Sequence, residues 1–134
     1  MHALNSAIIV LQTLARCQST LRAFADRIKL QSGVRGATHL VNFYELDAFV
    51  GVRMEQSVSA ELDPGNAIEL WLELTGMCSP PALYLEATVS RIDAIGSEVI
   101  AEIANSTFTD ADECAAALQN ALIALCDDSF VAKA

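Results

Sequence analysis

Residues 50–62 read VGVRMEQSVSAEL. The even positions hold Val50, Val52, Met54, Gln56, Val58, Ala60 and Leu62; the odd positions hold Gly51, Arg53, Glu55, Ser57, Ser59 and Glu61. A period of two sustained over this length predicts a long strand with one dry and one wet face, as antiparallel sheets have. Asp63-Pro64-Gly65-Asn66 follows with turn chemistry. Proline presets φ at the second position and glycine accepts positive φ at the third. The alternation then resumes in AIELWLELT, with Ile68, Leu70, Leu72 and Leu74 on one side and Glu69, Trp71 and Glu73 on the other. The two runs predict a hairpin.

Further along, Gly76 to Pro81 reads as a looser connection. Leu83, Leu85, Ala87 and Val89 mark the inner face of another strand, with Tyr84, Glu86, Thr88 and Ser90 outward. Asp93 to Ser97 turns the chain into a last strand, where Val99, Ala101 and Ile103 oppose Glu98, Ile100 and Glu102. Upstream, ATHLVNFY is a first strand of poor alternation, turned by Glu45-Leu46-Asp47.

Helices flank these strands. From about residue 3 to residue 31 there is no glycine or proline, and Ala7, Leu14, Leu21 and Ile28 repeat every seven residues, with Val10, Cys17 and Phe24 between them. A helix of that length spans about 45 Å, long enough for Ile8, Ile9 and Val10 to reach past a small sheet. Ser32-Gly33 is its expected stop, Gly33 suiting a left-handed cap. Near the other end, Thr109 is the expected cap of a second helix whose stripe is Ala111, Cys114, Ala115, Leu118, Leu122 and Leu125. The sequence thus predicts one α+β domain over 1–134: helix 3–31, strands 37–44, 49–62, 67–75, 82–92 and 98–107, helix 110–126. The strands form a four- to five-stranded antiparallel meander, and both helices cover its apolar face. The other face is left to solvent.

Composition bounds the function. Hydrophobic residues make up 53% of 134, and mean hydropathy is +0.37. Runs such as Ala7 to Leu11 fall far short of the roughly 18 apolar residues of a membrane span. The N-terminus lacks a cationic secretory start, so the expectation is a cytoplasmic chain without a membrane partner. The excess apolarity points to surface buried against a second copy, through the N-terminal helix. Cys17, Cys78, Cys114 and Cys126 have no metal-like spacing, and the two on helix stripes read as small reduced hydrophobes.

Net charge is −9 and uneven. Residues 1–53 carry six bases against three acids, and residues 54–134 carry two against fourteen. That balance repels a phosphate backbone and favours a cationic protein. No P-loop, GxGxxG, GxSxG or HExxH is present, and His2 and His39 cannot complete a zinc site with these cysteines. No catalytic residue, cofactor or metal is expected. Carboxylate pairs such as Glu69/Glu73 or Glu86/Glu102 would need shielding to act as acid and base, which a flat open face does not supply.

The candidate site is therefore a partner-binding one, on the outward face: Glu55, Glu61, Glu69, Trp71, Glu73, Tyr84, Glu86 and Glu102. Trp71 and Tyr84 would form an aromatic pair across the strands, anchoring a partner within a ring of carboxylates. The concrete expectation is an immunity protein that neutralises a cationic bacterial toxin, such as a nuclease. A dimeric acidic secretion-effector chaperone, working through the apolar helix, and a structural or oligomerisation module are the alternatives. Plain solubility also accounts for acidity.

Overall fold

The computed structural model describes residues 5–63 and 65–132. Helix α1 (Ser6–Ile28) leads into β1 (Gly36–Glu45), a short 3-10 turn (Asp47–Phe49), β2 (Gly51–Asp63), β3 (Asn66–Cys78), β4 (Pro81–Ile92), β5 (Ser97–Phe108), α2 (Ala111–Leu125) and α3 (Ser129–Ala132). The strands pair in chain order, all antiparallel, as one five-stranded sheet. The α+β architecture expected from the sequence is the one observed, with α1 lying on β1 to β3 and α2 on β4 and β5.

One core accounts for the packing. Val10, Cys17, Leu21, Phe24 and Ile28 of α1 and Cys114, Leu118, Leu122 and Leu125 of α2 meet the inward residues of the sheet, including Met54, Val58, Leu70, Leu72, Leu74, Leu85 and Val89. All are essentially closed to water, and each leucine so buried contributes ~1.5–3 kcal/mol. Burial pushes the Cys17 thiol up to about 12 and the Cys114 thiol up to about 11, so both remain protonated hydrophobes. Gln56 is a fully buried polar residue on this face. Its Nε2 donates to the Leu14 carbonyl at 3.0 Å, and its Oε1 accepts from His39 Nε2 at 2.9 Å, tying β1, β2 and α1 together.

Several boundaries differ from expectation, each for a local reason. Helix α1 begins after Asn5, whose side chain accepts from the Ile8 N–H, and ends at Ile28, with Leu30 and Gln31 already in a turn before Gly33 at φ 87°. Its length is then about 35 Å, less than the roughly 43 Å of the thirteen-residue strands β2 and β3. It does not outreach the sheet: Ser6 is buried, and Ile9 packs against the core. Asp110, not Thr109, caps α2, its Oδ1 accepting from the N–H groups of Asp112 at 2.8 Å and Glu113 at 3.0 Å. Residue 50 precedes β2 because the 3-10 turn occupies 47–49.

The largest difference is at Gly76, which the sequence assigns to a loop. β3 runs through it to Cys78, leaving only Ser79-Pro80 before β4, with that peptide bond cis. A Cβ at Gly76 would lie 2.6 Å from the Ser6 carbonyl oxygen, so this glycine admits the first turn of α1 against the strand. The expected helix start before Asn5, and Pro64 of the hairpin turn, lie outside the described residues. Residues 111–132 are apolar enough to compare with a membrane span, at mean hydropathy 1.2 over the richest window, but they form two helices, and α2 spends its stripe on the core.

Candidate functional site: the open face of the sheet

The strand registers sort the outward residues into rows running across the sheet. One row is Asn42, Glu55, Glu73, Glu86 and Asn105. The next, toward the Cys78 end of β3, is Tyr44, Arg53, Thr75, Tyr84 and Thr107. On the other side lies Leu40, Ser57, Trp71, Thr88 and Glu102. All eight residues expected at the site therefore stand on the same face, but they do not form a ring.

Glu55, Glu73 and Glu86 are direct neighbours, with strands about 4.8 Å apart. Glu69 stands between Ser59 and Ser90, Glu61 opposite Ala67, and Glu102 opposite Thr88, so none of these three has a charged cross-strand neighbour. The expected Trp71–Tyr84 pair is absent. Trp71 is opposite Ser57 and Thr88, while Tyr84 is opposite Thr75, two outward positions further along β3. The pairing sum of the β3–β4 hairpin fixes this offset, and alternation alone does not reveal it.

The central row is not flat. A cleft of about 340 Å³ opens beside it, walled by Arg53, Glu73, Thr75, Tyr84, Glu86 and Asn105 among others. The Glu73 side chain is only 19% exposed there. Desolvation raises its pKa, with Glu86 and Glu55 adding to the rise and Arg53 opposing it. The shielding thought missing from this face is thus present at one carboxylate.

Arg53 is the counterweight. Its guanidinium stands 3.8 Å from Glu73, donates from Nε to the Thr75 hydroxyl at 3.0 Å, and reaches the Tyr44 hydroxyl at 3.4 Å. Tyr44 in turn donates to Glu55 at 3.0 Å. Tyr44 and Arg53 therefore organise the carboxylates, and neither was among the expected site residues. For Tyr44 the signal lay in the β1–β2 register, hidden by the irregular alternation of β1. Trp71 and Ser57 form the second feature: Ser57, on the solvent side, is only 6% exposed between Leu40 and Trp71.

Chemically, the row sets three carboxylates against one guanidinium, an excess of negative charge beside the cleft, with the Tyr84 ring, 44% exposed, at its wall. The carboxylates run along the hydrogen-bonding direction, and among the described residues no three His, Cys, Asp or Glu side chains converge as metal ligands would. Comparison of the chain with protein families, curated proteins and solved structures returned no match.

Proposed function

We propose that this protein captures a basic protein partner on the open face of its sheet, and that the most concrete form of that activity is immunity: neutralisation of a cationic bacterial toxin, such as a nuclease, in the cytoplasm. It acts by occupancy and performs no catalysis. The observation carrying the reading is the Glu55–Glu73–Glu86 row, held by one arginine beside a cleft large enough for a lysine or arginine side chain. A cation entering that cleft offsets the like-charge repulsion along the row, and Trp71 and Tyr84 supply apolar area at two separated points. Glu61, Glu69 and Glu102 extend the field outward and attract the partner over distance.

The test is a capture assay on a basic partner, with Trp71→Ala, Glu69→Lys and Glu86→Lys combined. The triple variant is expected to keep its far-UV circular dichroism and lose capture; retained capture removes the face from consideration. Screening acts over about 8 Å at physiological ionic strength, so wild-type capture is expected to weaken steeply with salt.

A chaperone reading has one observation in its favour: Ile8 and Leu11 are 49% and 56% exposed on α1. It places the working surface there and expects binding that resists salt but fails when Ile8 and Leu11 become polar. Ile9 takes no part, being packed against the core.

A further inference from the structure

β1 and β5 are the two rims of the sheet, and they are built differently. β5 is irregular, its register against β4 shifting between Ala87/Thr88 and again between Val89/Ser90, and it carries Glu98 and Glu102. Bulges and charges are the usual means by which an edge avoids pairing with another chain. β1 has neither protection. Its register against β2 is continuous from Gly36 to Glu45, and it has no acidic or basic side chain other than His39 before Glu45 itself.

Its apolar side chains are uncovered on both faces of the sheet. Leu40 and Tyr44 are 59% and 39% exposed on the open side, and Phe43 is 42% exposed on the helix side. Leu11 adds to the latter. At 100° per residue it stands about 160° round α1 from Arg27, and Arg27 reaches across to Asp128 beyond α2. Leu11 therefore faces the β1 flank.

We propose that β1 is the pairing edge of a homodimer, antiparallel to β1 of a second copy about a two-fold axis through Leu40, joining the two sheets edge to edge. Opposed residues in an antiparallel pair share a face, so a two-fold axis passing through a residue makes their numbers sum to an even constant. With Leu40 on the axis the sum is 80. Tyr44 then meets Gly36, Phe43 meets Ala37, and Asn42 meets Thr38, each bulky side chain beside a small one. Glu45 meets Arg35 of the second copy at both ends. Neither Arg35 nor Glu45 has an ion-pair partner among the described residues. An axis through Val41 loses this match, setting Glu45 opposite Ala37.

The self-complementary match of Glu45 with Arg35, made twice about the axis, points to a second copy as the occupant. Two chains of −9 each repel where acidic surface meets, and from residue 36 to residue 44 this rim brings no acidic side chain against another. The carboxylate row lies one strand away and stays available, so the pairing stands or falls independently of the proposed capture of a basic protein.

Sedimentation equilibrium on the full chain, without any partner, tests this. Wild type is expected at twice 14.3 kDa at micromolar concentration. Leu40→Glu, on the exposed outer face, is expected to sediment as a folded monomer with unchanged circular dichroism. Arg35→Glu and Glu45→Arg each place like charges opposite one another twice per dimer and are expected to weaken association by about tenfold or more. The double variant Arg35→Glu/Glu45→Arg restores the pair and is expected to return to near the wild-type constant. A monomeric wild type, a dimer indifferent to Leu40→Glu, or a double variant no better than the single ones overturns the proposal.

Discussion

Glu73 sits among like charges and is shielded from the solvent that would ease them. Its raised pKa means that, between the unfolded and folded pKa values, the folded chain binds more protons than the unfolded one. Stability attributable to this group therefore rises as pH falls through its folded pKa, levels off below the ordinary value of 4.5, and is lost above. Glu73→Gln is expected to be more stable than wild type at pH 7, the two converging toward pH 4.5, as urea midpoints at both values will show. Gln56 is the opposite kind of polar residue, 1% exposed and paired at both ends of its amide. Gln56→Ala leaves a cavity and an unpaired His39 N–H, and an expected loss of about 2–4 kcal/mol in equilibrium unfolding. Residues of these two types were unequally legible. Gln56 was visible as inward by parity alone, but its partners lie 17 and 42 positions away, and no local pattern encodes them.

Among the elements, β2 and β3 were readable because each has one face wholly committed to the core, which forces strict alternation. β1 was not, because an edge strand only partly covered by α1 has no dry face to enforce the pattern. Glycine misleads in the same way. Gly76 looks like a turn residue in sequence, yet its reason is the Ser6 backbone arriving from α1, a contact between distant segments. Gly76→Ala is expected to push α1 off β3 at a cost of about 1–3 kcal/mol, visible as a lowered Tm, whereas Gly96→Ala, with open space at its Cβ position, is expected to be near neutral. Boundaries shifted where two capping residues were adjacent: Thr109 and Asp110 both qualify, and the carboxylate takes both N–H groups.

For the molecule as a whole, two surfaces are proposed to serve separate roles, and their chemistry distinguishes them. Capture by the carboxylate face depends on charge, so its affinity is expected to fall with ionic strength and to respond to Glu86→Lys. The proposed association through β1 would combine Leu40, Phe43 and backbone pairing with two rim ion pairs. Screening of those pairs by salt is offset by screening of the repulsion between two acidic chains, so the salt dependence of this association is expected to be shallower than that of capture. Measuring both equilibria across one salt series checks the assignment. The acid excess of the C-terminal portion was plain from the sequence, as was its outward face. What the sequence withheld was the concentration of three glutamates in one row, which requires two hairpin registers known to the residue.

The irregular rim formed by β5 has a consequence for the fate of the protein at high concentration. A sheet receptive at both rims polymerises without limit, each molecule templating the next, and ends as a fibre. Here one rim has two register shifts and carries Glu98 and Glu102, features that disfavour recruitment along it, so pairing at the proposed β1 edge is expected to stop at two copies rather than grow into a fibre.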